Sequence, residues 1–362
     1  MTKPHPYNSA PAHNFWRRSV AELDPGLVDP VVNFPIRIDS DMRVATAGSC
    51  FAQHIARYLR NSGFNYYVTE PGHPILPESV RTKNNYGLFT ARYGNIYTAR
   101  QLVQLVERAY GSFAPAESVW QEADDVFLDP FRPSSQPGGF ITKLELELDR
   151  AQHLAAVREM LETLDVFVFT LGLTECWVSR HDGSAFPVCP GVEGGAFDPD
   201  RYMFYNQTLD DVIADMTKFL MALARVNPKA QVILTVSPVP LAATARHDQH
   251  VLTATTYSKA VLRIAAETLA AQFHHVAYFP SYEIITGAFN RGGYYAPDLR
   301  NIVESGVSHV MGLFMKHATI SQTEVQAEKD EPMRGTGQSD AYFEMVQHVV
   351  QVECDEAALD RP

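Results

Sequence analysis

"RVATAGSCFAQHIARYLRNSGF" (residues 43–64) changes its period in the middle. Arg43 to Gly48 is a short, mostly apolar run of strand length that closes on a glycine. From Phe51 the pattern turns helical. Phe51, Ile55, Tyr58 and Leu59 fall on one face, and Gly63 supplies a C-terminal stop. A strand that passes through a small-residue turn straight into a helix is the first half of a βαβ unit.

The rest of the chain repeats that unit. "FNYYVTE" reads as a second strand and "ARQLVQLVERAYG" as a helix. "RAQHLAAVREMLETL" is a helix leading into "DVFVFTLG", which is apolar on both faces as a central parallel strand requires. "TLDDVIADMTKFLMALARVNP" sets Leu209, Val212, Ile213, Met216, Phe219, Leu220 and Leu223 on one side and stops at Asn227-Pro228. "AQVILTVSP" is the fourth strand. "YSKAVLRIAAETLAAQF" follows as a helix with Val261, Ile264, Ala265, Leu269 and Phe273 inward. "HVAYFP" is the fifth strand and "IVESGVSHVMGLFMKH" the closing helix. This alternation predicts an α/β fold: a central parallel five-stranded sheet between two helical layers. A single domain over 41–320 carries insertions near 111–148 and 172–206. It is preceded by an arm (1–40) that holds on through Phe15 and Trp16, with "VVNFPIRI" as a short edge strand. A C-terminal extension (321–362) follows.

Composition narrows the function. The chain has 362 residues, 46% of them hydrophobic, enough for a sizeable core. A net charge of −12 without any Lys/Arg run argues against nucleic acid or an anionic membrane as partner. The N-terminus lacks the apolar core of a signal peptide, and no stretch reaches membrane-spanning length. Cys50, Cys176, Cys189 and Cys354 form no CxxC pair, so neither a disulfide framework nor a structural zinc site is expected. His181, Cys176 and Cys189 share the second insertion, where loop packing is the plainer reading than a metal. No GxGxxG or P-loop is present. The expectation is a cytoplasmic protein with reduced thiols, no metal and no cofactor.

In open parallel sheets, ligands bind outside the carboxyl ends of the strands. After the first strand come Ser49 and Cys50, after the third Thr174 and Glu175, and after the fourth Ser237-Pro238. The last is followed by Glu283, Asp298 and His309. A thiol at a helix N-terminus is turned toward the thiolate by the dipole and the unpaired N–H groups there. The plainer alternative is that Ser49 caps the helix and Cys50 packs as a small hydrophobe.

The motif Gly48-Ser49-Cys50-Phe51-Ala52 resembles the signature of the GSCFA family. The similarity extends through "NNYGLFTARYGNIYTARQL", "TLGLTE", "VSPVP", Ser258-Lys259 followed by "LR", and "YFPSYEII", in that order over about residues 44–320. The family looks like a branch of the SGNH hydrolases. That resemblance implies a flavodoxin-like α/β/α fold and an ester hydrolase or O-acyltransferase working through an acyl-enzyme. SGNH enzymes carry a nucleophilic Ser two residues after the first-strand glycine. Counted from Gly48 that position is Cys50, with Ser49 as the rival nucleophile. The oxyanion-hole positions match near Asn85-Tyr86-Gly87 and Gly172-Leu173-Thr174-Glu175, where Thr174 stands in place of the family's Asn.

The final SGNH block, Asp-x-x-His, departs from the pattern. Asp298 is followed three residues later by Asn301, whose amide takes no proton at neutral pH. His309 or His250 would then serve as base, or a thiolate at the helix N-terminus would attack unaided. The partner implied is a small-molecule or carbohydrate ester. The reading from another class is an inactive SGNH-like scaffold that binds a carbohydrate or a protein.

Overall fold

The computed structural model describes Lys3 and residues 5–320, so the expected C-terminal extension lies outside the described residues. In chain order the elements are β1 (Val44–Gly48), α1 (Phe51–Asn61), α2 (Glu78–Lys83), α3 (Ala99–Ala109), β2 (Trp120–Ala123), β3 (Val126–Leu128), α4 (Lys143–Thr163), β4 (Val166–Leu171), β5 (Glu175–Ser179), β6 (Ala185–Phe186), β7 (Tyr202–Asn206), α5 (Leu209–Val226), β8 (Gln231–Val236), α6 (Val251–Gln272), β9 (Val276–Tyr278), α7 (Ser281–Thr286) and α8 (Glu304–Ala318).

The central sheet is parallel in the order β1-β4-β8-β9. All six residues of β4 are buried, which is why its sequence shows no polar alternation. Successive side chains point to opposite faces. Phe167, Phe169 and Leu171 pack into one core with α3, α4, α5 and α6. Val166 and Val168 pack into the other with α1, α7 and α8. Helices therefore cover the sheet on both sides.

Among the described residues the central sheet has four strands, not five. "FNYYVTE" reaches the β1 edge but makes a single bridge, Val44 with Tyr66. Beyond that bridge the edge is occupied. The Thr46 N–H donates to Thr90 Oγ1 (3.1 Å), the Tyr93 hydroxyl donates to the Thr46 carbonyl, and the Ile96 N–H donates to the Gly48 carbonyl (2.9 Å). Residues 90–96 thus take the place a fifth strand would need.

Other expectations are corrected as well. The first insertion contains the antiparallel pair β2–β3, and the second folds as a three-stranded antiparallel sheet, β6-β5-β7. In the arm, Trp16 is 69% exposed and anchors nothing, while Val28, Val31, Ile36 and Ile38 are buried. "VVNFPIRI" contributes one bridge, Ile38 with Thr319, rather than a strand. In α6, Ile264 is exposed, because the buried stripe runs through Ser258, Leu262, Ala265, Ala266 and Leu269.

Candidate functional site

The turn between β1 and α1 is clamped from two sides. Gly48 has φ +131°, and a Cβ there would lie 2.3 Å from the Thr170 carbonyl oxygen of β4. Only glycine fits such a position. The Ser49 N–H donates to the same carbonyl (3.2 Å). Ser49 is 4% exposed, its Oγ has no hydrogen-bond partner among the described residues, and it does not cap α1. Cys50 occupies the N-cap position instead, partly exposed and with backbone angles already helical. The capping role considered for Ser49 is therefore overturned.

The end of β4 presses on this turn. A Cβ on Gly172 would meet Ser49 Cβ at 3.2 Å and the Tyr97 carbonyl oxygen at 3.0 Å. The N–H groups of Gly172 and Leu173 donate to that Tyr97 carbonyl (3.1 and 2.9 Å). From α6, the buried Lys259 donates through Nζ to the Gly172 carbonyl (2.8 Å), and Ser258 Oγ accepts from the Thr174 N–H (3.0 Å). Thr174 is fully buried and its hydroxyl donates to Asn206 Oδ1 (2.6 Å), so both its donors are engaged.

The remaining expected residues are spread more widely. Asn85 donates to the Ser134 carbonyl (3.0 Å), and the Gly87 carbonyl accepts from Arg60 (2.7 Å) near the C-terminal end of α1. The segment beside the turn is Gly94–Tyr97, where Gln53 of α1 donates to Asn95 Oδ1 (3.3 Å). Asp298 and Asn301 are exposed on a loop held over the end of β8, where the Tyr295 hydroxyl donates to the Pro238 carbonyl (3.1 Å). Asp298 accepts from the backbone N–H groups of Arg300 and Asn301 and from the Asn301 side chain. Those bonds outweigh desolvation and hold its carboxyl below the usual range. His309 meets the Tyr294 hydroxyl at 2.8 Å, and burial lowers its proton affinity. His250 is an exposed N-cap whose Nδ1 accepts from the Leu252 N–H (3.1 Å).

The family model for "GSCFA family" matches residues 43–314, which includes the turn, the β4 end and the α8 side. The chain belongs to the GSCFA family. No curated protein matches it. A solved structure from Streptococcus pneumonia, provisionally named a platelet activating factor, is similar at 14% identity with a TM-score of 0.27. The likeness covers 48% of this chain and 66% of that one, just under two-thirds of its length, and at that score carries no argument.

A cavity of about 220 Å³ lies between the β6-β5-β7 sheet of the second insertion and the loop after β8. Trp177, Phe204, Val188 and Leu241 form apolar walls, and Glu175 and Thr244 a polar end. Glu175 accepts from the Thr244 hydroxyl (2.7 Å), and burial raises its carboxyl above the ordinary value. Leu241, one of its walls, packs in a small cluster with Tyr97 and Leu173, and the Tyr97 carbonyl accepts from the backbone at the β4 end. No group of three metal-ligating side chains occurs among the described residues. No described helix is long and apolar enough to cross a membrane.

Three features escaped the sequence reading. Lys259 is fully buried although lysines seldom are; "SKAVLR" alone gave no sign that its ammonium reaches β4. Gly94–Tyr97, rather than Asn85–Gly87, borders the turn, and the glycine in "YGNIY" was the available signal. His54 stands four residues after Cys50, a same-face helical spacing readable in "CFAQH".

Proposed function

We propose that this GSCFA protein is an SGNH-like ester hydrolase or O-acyltransferase that forms an acyl-enzyme on Cys50. The observation that carries this reading is the turn itself. A partly exposed thiol sits at the N-cap of an 11-residue helix, at the carboxyl end of a parallel strand. The Ala52 and Gln53 N–H groups are taken by the Ser49 and Cys50 carbonyls (2.8 and 3.1 Å), so it is the dipole at the helix N-terminus that favours both a thiolate and the negative charge of an oxyanion. Ser49 is the weaker nucleophile here, because its hydroxyl is enclosed at the β4 end. The cavity lined by Trp177 and Phe204 suits an acyl group or the face of a sugar ring, which supports an acylated carbohydrate as substrate.

The reaction would begin with attack of the Cys50 thiolate on the ester carbonyl and release of the alcohol. Water as acceptor then gives hydrolysis, and a hydroxyl gives transfer. Asp298 stands on the same rim as a fixed negative charge.

One observation favours a second reading, a binding scaffold without catalysis. Asn301 occupies the position of the expected base and spends its side-chain amide on Asp298. Intact mass after incubation with a small activated acetyl ester separates the readings. Wild type, Cys50→Ala and Ser49→Ala are compared. A single acetyl adduct lost only in Cys50→Ala is expected. Loss only in Ser49→Ala would move the nucleophile by one residue, and no site-dependent adduct would leave the scaffold.

A further inference from the structure

The opening turn of α1 carries a titratable group that no role above employs. His54 follows Cys50 by four residues, and the Cys50 backbone (φ −50°, ψ −28°) is already helical. Residues at this spacing place their Cβ atoms about 5–6 Å apart. Helical side chains lean toward the N-terminus. The His54 ring lies beside that of Phe51, with centroids 5.6 Å apart, one turn on from Cys50.

Cys50, His54, Arg57 and Tyr58 share the face of α1 turned toward α8. Glu304, the first residue of α8, accepts from Arg57 Nη2 (3.1 Å) and from the Tyr58 hydroxyl (2.8 Å). His54 Nδ1 is buried without a hydrogen-bond partner among the described residues, and so is the Ser49 hydroxyl in the same turn. A buried polar atom left unpaired costs free energy that packing alone does not repay.

We propose that His54 is the proton acceptor and donor for Cys50, doing from α1 what Asn301 cannot do from the loop before α8. The proposal rests on the acyl-transfer reading above. Burial, assisted by the charge of Arg57 and opposed by Glu304, lowers His54 to about 4, so the ring is neutral at neutral pH and its imidazolium depends on the thiolate it pairs with. The thiol proton passes to the imidazole, and the thiolate and imidazolium then stabilise each other as a coupled pair. The sulfur attacks the ester carbonyl carbon. When the tetrahedral intermediate collapses, the carbon–oxygen bond to the leaving alcohol breaks and the imidazolium returns its proton to that oxygen. In the second half, water or an acceptor hydroxyl gives its proton to His54 while attacking the thioester, and the Cys50 thiol is regenerated.

Two readouts on the full-length chain test this. The first is the pH dependence of iodoacetamide alkylation, read by mass on the Cys50 peptide. The second is the acetyl adduct described above. Both are taken for wild type, His54→Asn, His54→Gln, His309→Ala and His250→Ala, with thermal melts as a check on folding. In folded His54→Asn, the alkylation inflection should move upward and the rate at neutral pH fall about tenfold or more. Acetyl transfer should fall about a hundredfold. His309→Ala and His250→Ala should leave both unchanged. Wild-type kinetics in both His54 variants, or a loss confined to His309→Ala or His250→Ala, would overturn the assignment. A wild type that alkylates in a His54-dependent way but never takes up an acetyl group would keep the pair and refute the acyl-transfer reading.

Discussion

The β1–α1 turn and the charged cluster beside α4 are both buried polar regions, but only the cluster is built on paired charges. In the cluster every carboxylate is met by at least two donors. Asp129 accepts from Arg132 Nε (3.1 Å) and Arg150 Nε (3.0 Å). Asp149 accepts from Arg92 Nη1 (2.9 Å) and from Arg132. Glu70 accepts from the Arg92 backbone N–H (2.7 Å) and from His153 Nδ1 (2.9 Å). Its ions cross-link the segment around Arg92, the loop after β3 and α4. At the turn, the Ser49 hydroxyl and His54 Nδ1 are enclosed without a hydrogen-bond partner among the described residues. Arg132 Nη1 and His153 Nε2 in the cluster are unpartnered there too, so the two regions differ in their paired charges and not in complete saturation.

The largest effect that would break this comparison belongs to the cluster. Asp129→Ala leaves Arg132 and Arg150 facing each other without their shared carboxylate. Removing one partner of a buried ion pair costs about 3–5 kcal/mol. Urea unfolding should register that loss, and a loss under about 1 kcal/mol would show that the cluster is not structural.

A smaller effect is the pH response of the same region. Desolvation and Arg132 lower His153 to about 4 despite the opposing pull of Glu70. The unfolded chain takes up the proton near its ordinary 6.5, whereas the folded chain resists it until about 4. Stability is therefore full above the higher value and declines as pH falls toward the lower one. About 3 kcal/mol is at stake, from 1.36 kcal/mol per pH unit. Unfolding free energies across that window should fall less steeply in His153→Gln than in wild type. Parallel curves would refute the assignment.

The smallest effect sharpens the other side. Ser49→Ala removes a hydroxyl that bonds nothing, so it should shift stability by no more than about 1 kcal/mol, in either direction. A loss of more than about 2 kcal/mol would reveal that the hydroxyl makes a bond the fold depends on.

Much of the fold was legible because period and burial agree. The "VFVFTL" run is buried on both faces as its composition demanded, and Val212, Met216, Phe219, Leu220 and Leu223 form the predicted stripe of α5. The fifth strand was misread because "FNYYVTE" has strand composition, while its neighbour 90–96, which looks like loop, wins the β1 edge by hydrogen bonds from side chains. No local pattern encodes that competition. At the candidate site, what could be read was the local geometry of the contiguous turn Gly48–Cys50, a strand end running into a helix. Expectations that needed distant segments to meet fared differently. Gly87 meets Arg60 at the far end of α1, Asn85 donates to Ser134, and Thr174 turns its hydroxyl to Asn206. The charged cluster was not anticipated, since its ions come from separate segments and only packing brings them together.

The sealed edge of β1 has a consequence for how this molecule meets its own copies. An edge strand with unpaired carbonyls is a template on which another chain can add a strand. Along β1 the outward carbonyls are taken in turn, Val44 by the Tyr67 N–H, Thr46 by the Tyr93 hydroxyl and Gly48 by the Ile96 N–H. A tyrosine and two bends of chain therefore guard this margin against strand-by-strand aggregation. The residue that fills the middle position, Tyr93, protects the protein in the crowd as much as it packs the core.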